Sequence, residues 1–96
     1  MTLEELKSLR REIIELGFKF SSINPNELSF ENKKYKIIFD VSESKRITKI
    51  FIITYNGSLV ESFLYPSINT VRNTVNLYKD DKIRFEIFYN KEYGHY

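Results

Sequence analysis

The chain has 96 residues and a net charge of +2, with 42% hydrophobic and 29% charged side chains. That length and balance predict one globular domain with a modest core, not two domains and not a disordered chain. The absence of cysteine removes disulfides, thiolate nucleophiles and thiolate metal sites together, and the small basic excess is below that of a dedicated duplex-DNA binder.

The segment MTLEELKSLRREIIEL is charged throughout and has no signal-peptide apolar core. No apolar run approaches the ~20 residues that span a bilayer. A cytoplasmic location is expected, in a cell or in an infected host cell, with no membrane partner. Alanine, glutamine and tryptophan are absent, while Ile, Asn, Lys, Tyr and Phe make up close to half of the chain. Their codons are AT-rich, which points to a low-GC genome, that of a bacterium, a thermophilic archaeon, or one of their viruses or mobile elements.

A helix is predicted at the start. Thr2 and Glu5 form a T-x-x-E capping box. Leu3, Leu6, Leu9, Ile13 and Leu16 recur at helical spacing, and Gly17 supplies a stop that lets Phe18 fold back on the last turn. The apolar stripe of this helix must lie on a sheet. Strands are predicted over 18–23, 28–31, 34–41, 47–55 and 58–65. Asn24-Pro25-Asn26 and Asn32-Lys33 serve as turns between the first three, and a polar loop over 43–46 joins the third to the fourth. Asn56-Gly57 predicts a two-residue type I′ turn between the last two of these strands. Connections this short imply antiparallel neighbours.

Ser67 is positioned to cap a second helix over 67–79, in which Ile68, Val71, Val75 and Tyr78 share a face. Residues 82–89 alternate cleanly and predict a final strand. The expected fold is a single α+β domain over 1–96. Its antiparallel sheet of five or six short strands carries an N-terminal amphipathic helix and a second helix before the last strand.

The turn at Asn56-Gly57 also predicts a register. Tyr55 opposes Ser58, Ile53 opposes Val60, Ile50 opposes Phe63, Asp40 opposes Lys49 and Ile38 opposes Phe51. One face then carries Tyr35, Ile37, Phe39, Val41, Ile50, Ile52, Leu59 and Phe63, and the first helix should cover it. The other carries Lys34, Lys36, Asp40, Lys49, Tyr55, Ser58 and Ser62 around an apolar stripe of Ile38, Phe51, Ile53, Val60 and Leu64. A face left to solvent is normally more polar than this. An apolar stripe with a lysine and tyrosine rim has the composition of a contact surface, unless the second helix or the terminal strand covers it.

No catalytic constellation emerges. His95 is the single histidine, Asp80-Asp81 lacks the ligand count a hard cation needs, and no glycine-rich phosphate loop or readable carboxylate pair occurs. Asn56-Gly57-Ser58 matches a glycosylation sequon but reads as a turn. The expectation is no enzyme, no cofactor and no metal. The expected function is a small protein-binding domain that blocks a partner's surface, of the inhibitor, immunity or phage and virus anti-defence type. Ile38, Phe51 and Ile53 would be its anchors, and Lys36, Lys49 and Tyr55 its rim. Two alternatives stand beside it. One is a nucleic-acid-binding module using Lys34, Lys36, Lys45 and Arg46 of the lysine-rich hairpin over 33–49. The other is a homodimeric structural or accessory protein that buries the same stripe.

Overall fold

The computed structural model describes residues 1–79. The predicted strand over 82–89, Asp80-Asp81, the aromatic tail of Tyr89, Tyr93 and Tyr96, and His95 lie outside the described residues. Within them the chain forms α1 (Leu3–Ser8), α2 (Arg10–Glu15), β1 (Lys19–Asn24), β2 (Glu27–Glu31), β3 (Tyr35–Val41), β4 (Ile47–Thr54), β5 (Leu59–Leu64) and α3 (Ile68–Leu77). The strands form one antiparallel sheet in the order β1-β2-β3-β4-β5, which is the predicted α+β architecture.

The N-terminal caps form as the sequence predicts. Thr2 Oγ1 accepts the Glu5 amide at 3.2 Å, and Glu5 Oε1 accepts the Thr2 amide at 2.9 Å. The Thr2 backbone N–H, and then its hydroxyl, hold the Glu5 carboxyl below the usual carboxylate range. At the far end Gly17 takes a positive φ of 97°. Its amide donates to the Ile14 carbonyl, and the Phe18 amide donates to the Ile13 carbonyl. This is a Schellman closure, and it seats Phe18 in the core beside Ile13.

The predicted single helix is in fact two. Leu9 interrupts it at φ −87° and ψ −7°, where the Ser8 hydroxyl donates back to the Glu5 carbonyl at 2.6 Å. Such back-bonding competes with the helical ladder and bends it. Leu9 nevertheless stays in the core.

Both later hairpins depart from prediction in the same way. At Asn56-Gly57 only Gly57 has a positive φ, so the turn is not type I′, which needs two such residues. Instead the Gly57 amide donates to the Thr54 carbonyl, and the Thr54 amide donates to the Ser58 carbonyl. This is a three-residue loop closed by a left-handed residue. Thr54, not Tyr55, therefore opposes Ser58, which moves the register by one. A bulge between Ile52 and Ile53 moves it back, so Ile53 faces Leu59 while Ile52 faces Glu61 and Ile50 faces Phe63 as predicted.

The loop after β3 repeats the device. The Ser42 amide donates to Arg46, the Lys45 amide donates to Ser42, and Lys45 takes φ 64°. A bulge between Asp40 and Val41 then restores the predicted pairs Asp40–Lys49, Phe39–Ile50 and Ile38–Phe51. The turn after β2 is displaced by one residue, because Asn32 Oδ1 accepts the Lys34 and Tyr35 amides at 2.9 and 2.8 Å.

The core lies between the predicted sheet face and the helices. Ile37, Phe39, Val41, Ile50 and Ile52 from the sheet meet Leu6, Leu9 and Ile13 from the N-terminal helical segment and Val71 and Val75 from α3. Phe30 joins Phe20 and Phe39 edge to face, at centroid distances of 5.4 and 6.2 Å.

α3 forms as predicted. Ser67 Oγ accepts the Thr70 amide, and Tyr78 follows its last turn into the core. Arg72 Nε and Nη2 reach the two Glu12 oxygens at 3.1 and 3.0 Å, tying α3 to α2. The Arg72 hydrogen bond lowers the Glu12 pKa and raises that of Arg72.

Candidate functional site

Because α1, α2 and α3 all contribute to the core on one face, the opposite face carries none of the described helices. The strand register lays that face out in three cross-strand rows. Glu31, Lys36, Ile53 and Leu59 form the first. Ser29, Ile38, Phe51 and Ser62 form the second. Glu27, Asp40, Lys49 and Leu64 form the third. Polarity falls along the first and third rows, while the second has a serine at each end. The β2 end is two carboxylates around a serine, whereas the β4–β5 end gathers Phe51, Ile53, Leu59 and Leu64.

The six predicted contact residues occupy distinct places in this layout. Ile38 is buried, at 7% exposure, yet stands outside the main core cluster. It forms the floor of the face. Phe51 and Ile53 are half-buried beside it. Lys49 extends over the Phe51 ring, with Nζ 5.4 Å from the centroid, a cation–π contact that holds the charge at the rim. Lys36 faces Ile53 across the β3–β4 ladder. Tyr55 stands in the loop at 74% exposure, past the end of the first row.

Leu59 was expected on the core face and is instead on this one. The left-handed Gly57 and the bulge turn it to the side of Ile53, where it is 65% exposed. Val60, expected opposite Ile53, is the extra residue of that bulge and is exposed. Leu64 keeps its predicted side at 71% exposure. The candidate surface is thus shifted toward β5 and is more apolar than the six residues alone suggest. The signal that could have placed Leu59 is the run Thr54–Ser58. Thr54 and Asn56 there form a side-chain hydrogen bond, and Thr54 Oγ1 accepts the Ser58 amide at 3.1 Å. Such local bonding favours a longer loop than Asn-Gly alone.

No protein-family model, curated protein or solved structure matches this chain. Its own geometry therefore carries the functional argument.

The lysine-rich hairpin is drawn apart by the fold. Lys34 is exposed just before β3, and Lys45 and Arg46 are exposed after it. The seven residues of β3 put about 20 Å between the two groups. Tyr35, the aromatic among these lysines, turns to the core face and packs edge-on against Tyr78 at a centroid distance of 4.9 Å.

On the helix side, the Tyr78 hydroxyl donates to the Glu61 carboxylate. Burial, and then that hydrogen bond, push the Tyr78 pKa up to about 12. An open cleft of about 380 Å³ lies at the other end of the sheet, between Leu3, Lys7, Glu27, Leu28, Val41 and Lys45. Its lining has no hydroxyl or imidazole side chain. Among the described residues no group of three or more His, Asp or Glu side chains is placed to hold a metal ion, and no helix is long and apolar enough to cross a membrane.

Proposed function

We propose that this protein is a small non-catalytic binding domain that acts by covering the surface of a protein partner, in the manner of inhibitors, immunity proteins and anti-defence proteins. The observation that carries the reading is the β4–β5 end of the sheet face that carries none of the described helices. Phe51, Ile53, Leu59 and Leu64 form one apolar surface there, with Lys36 and Lys49 beside it and the exposed Tyr55 in the loop at its end. A buried centre of large side chains with a polar rim is the anatomy of a protein interface. Phe51 and Ile53 act as anchors above the Ile38 floor. The two lysines orient a partner that presents carboxylates between apolar contacts, and they mainly accelerate encounter.

The test is affinity purification of the full chain from its native host, beside Phe51→Asp and a Lys34→Ala, Lys45→Ala, Arg46→Ala triple variant. A protein should be retained by the wild type and by the triple variant at 0.3 M salt, a concentration at which exposed charges are screened beyond roughly 6 Å. It should be lost with Phe51→Asp while circular dichroism shows that variant folded. Retention of a nucleic acid that disappears with the triple variant and with salt would reverse the reading in favour of nucleic-acid binding.

A further inference from the structure

The two edges of the sheet are built differently. β1 begins at Lys19, ends at Asn24 before a proline, and is bulged between Phe20 and Ser22. Charge, proline and bulge all discourage a further strand from adding. β5 carries a single charged side chain, Glu61, and that carboxylate is engaged by the Tyr78 hydroxyl on the helix side.

The backbone of β5 also has an outward half. The Tyr65 amide donates to the Thr48 carbonyl, and Leu64 and Ser62 stand opposite Lys49 and Phe51. In an antiparallel ladder these pairs are the non-hydrogen-bonded ones. Phe63 therefore directs its N–H and C=O to β4, while Ser62 and Leu64 direct theirs away from it. No described strand lies on that side.

We propose that the edge of β5 on which no described strand lies is an interface with a second copy of this chain, two β5 strands pairing antiparallel about a two-fold axis. The charge pattern favours an identical partner. Self-pairing brings like charges close together across the axis, and β5 offers only the Glu61 carboxylate, already turned to Tyr78. A two-fold centred on Ser62 or Phe63 keeps the two Glu61 side chains from facing one another, and centring on Ser62 sets Val60 against Leu64. The net charge of +2 leaves little repulsion between whole molecules.

A two-fold perpendicular to the sheet places the helices of both copies on one side and both Phe51–Ile53 faces on the other. The pairing concerns the strand edge and not the face, so it goes beyond the function proposed above and stands or falls separately from it.

Sedimentation equilibrium of the full chain, from micromolar to near-millimolar concentration, should show a monomer–dimer equilibrium. Ser62→Pro removes an outward N–H without touching the ladder to β4, and Leu64→Lys places a charge on the edge. Each should weaken association by about tenfold or more, with unchanged circular dichroism. Phe51→Asp, on the face, should leave it intact. In the wild type the Ser62 and Leu64 amides should gain protection from hydrogen exchange as concentration rises. A monomer at every concentration overturns the proposal, as does a dimer indifferent to both β5 variants. Protection of those amides in a chain that stays monomeric also overturns it, because the edge is then filled by another segment of the same chain.

Discussion

Tyr78 joins three parts of the molecule through one side chain. Its ring packs on Tyr35, its hydroxyl donates to Glu61, and its carbonyl accepts Asn32 Nδ2 at 2.8 Å. Its pKa is raised from about 10 in the unfolded chain to about 12 in the fold. The native state therefore keeps the phenol proton at a pH where the unfolded state releases it. The stability tied to this group is complete below pH 10 and is lost as pH rises from about 10 to 12. Denaturant titrations across that window should show a steeper fall for wild type than for Tyr78→Phe. Equal slopes would show that Tyr78 does not carry the effect. Below pH 9 the variant should be about 1–2 kcal/mol less stable, because Glu61 loses its donor.

Gly57 and Lys45, the left-handed residues of the two hairpin loops, make an opposed pair. A Cβ on Gly57 would meet nothing within 4 Å, so the cost of Gly57→Ala is backbone strain alone, about 1 kcal/mol. Lys45 already bears that strain, and Lys45→Gly should be neutral or stabilising by about 0.5 kcal/mol once the extra freedom of glycine in the unfolded chain is subtracted. Chemical denaturation of both variants checks the pair, and a destabilised Lys45→Gly would refute the strain argument.

At the scale of elements, local chemistry explains where each piece begins and stops. The capping box starts α1, Gly17 ends α2, and Ser67 starts α3. Thr2→Ala should cost about 1 kcal/mol, readable as a lower thermal midpoint, and an unchanged midpoint would show that the helix start is held by the Thr2–Arg46 bridge instead. The Glu12–Arg72 pair joins α2 to α3, but both side chains are about half exposed. Its contribution should be small and should decline with salt. These element boundaries were legible because caps and periodicity act within a few residues. The break at Leu9 was not, because a serine hydroxyl inside an unbroken apolar stripe leaves no mark on the pattern.

For the whole molecule, the decisive contrast is between two aromatic residues on adjacent strands. Phe39 is fully buried among the core residues and Phe51 is half-buried on the opposite face. Phe39→Ala should therefore cost about 3–5 kcal/mol, enough to unfold much of a domain this small. Phe51→Asp should retain native circular dichroism and a cooperative melt. Unfolding by Phe51→Asp would make both faces of the sheet structural and remove the proposed contact surface.

The sequence alone determined the five described strands, the helix starts, the central cross-strand pairs and most of the core face, because alternation, helical spacing and caps are local properties. Tertiary structure decided the rest. Whether α3 covered the second face depended on docking Val71, Val75 and Tyr78 across the molecule, and they chose the side already occupied by α1 and α2. Which way Leu59 pointed depended on a left-handed residue and a compensating bulge, two backbone choices that cancel in the register and leave only that stretch of β5 changed. Periodicity registers neither choice, and together they set the apolar surface beside Phe51 and Ile53.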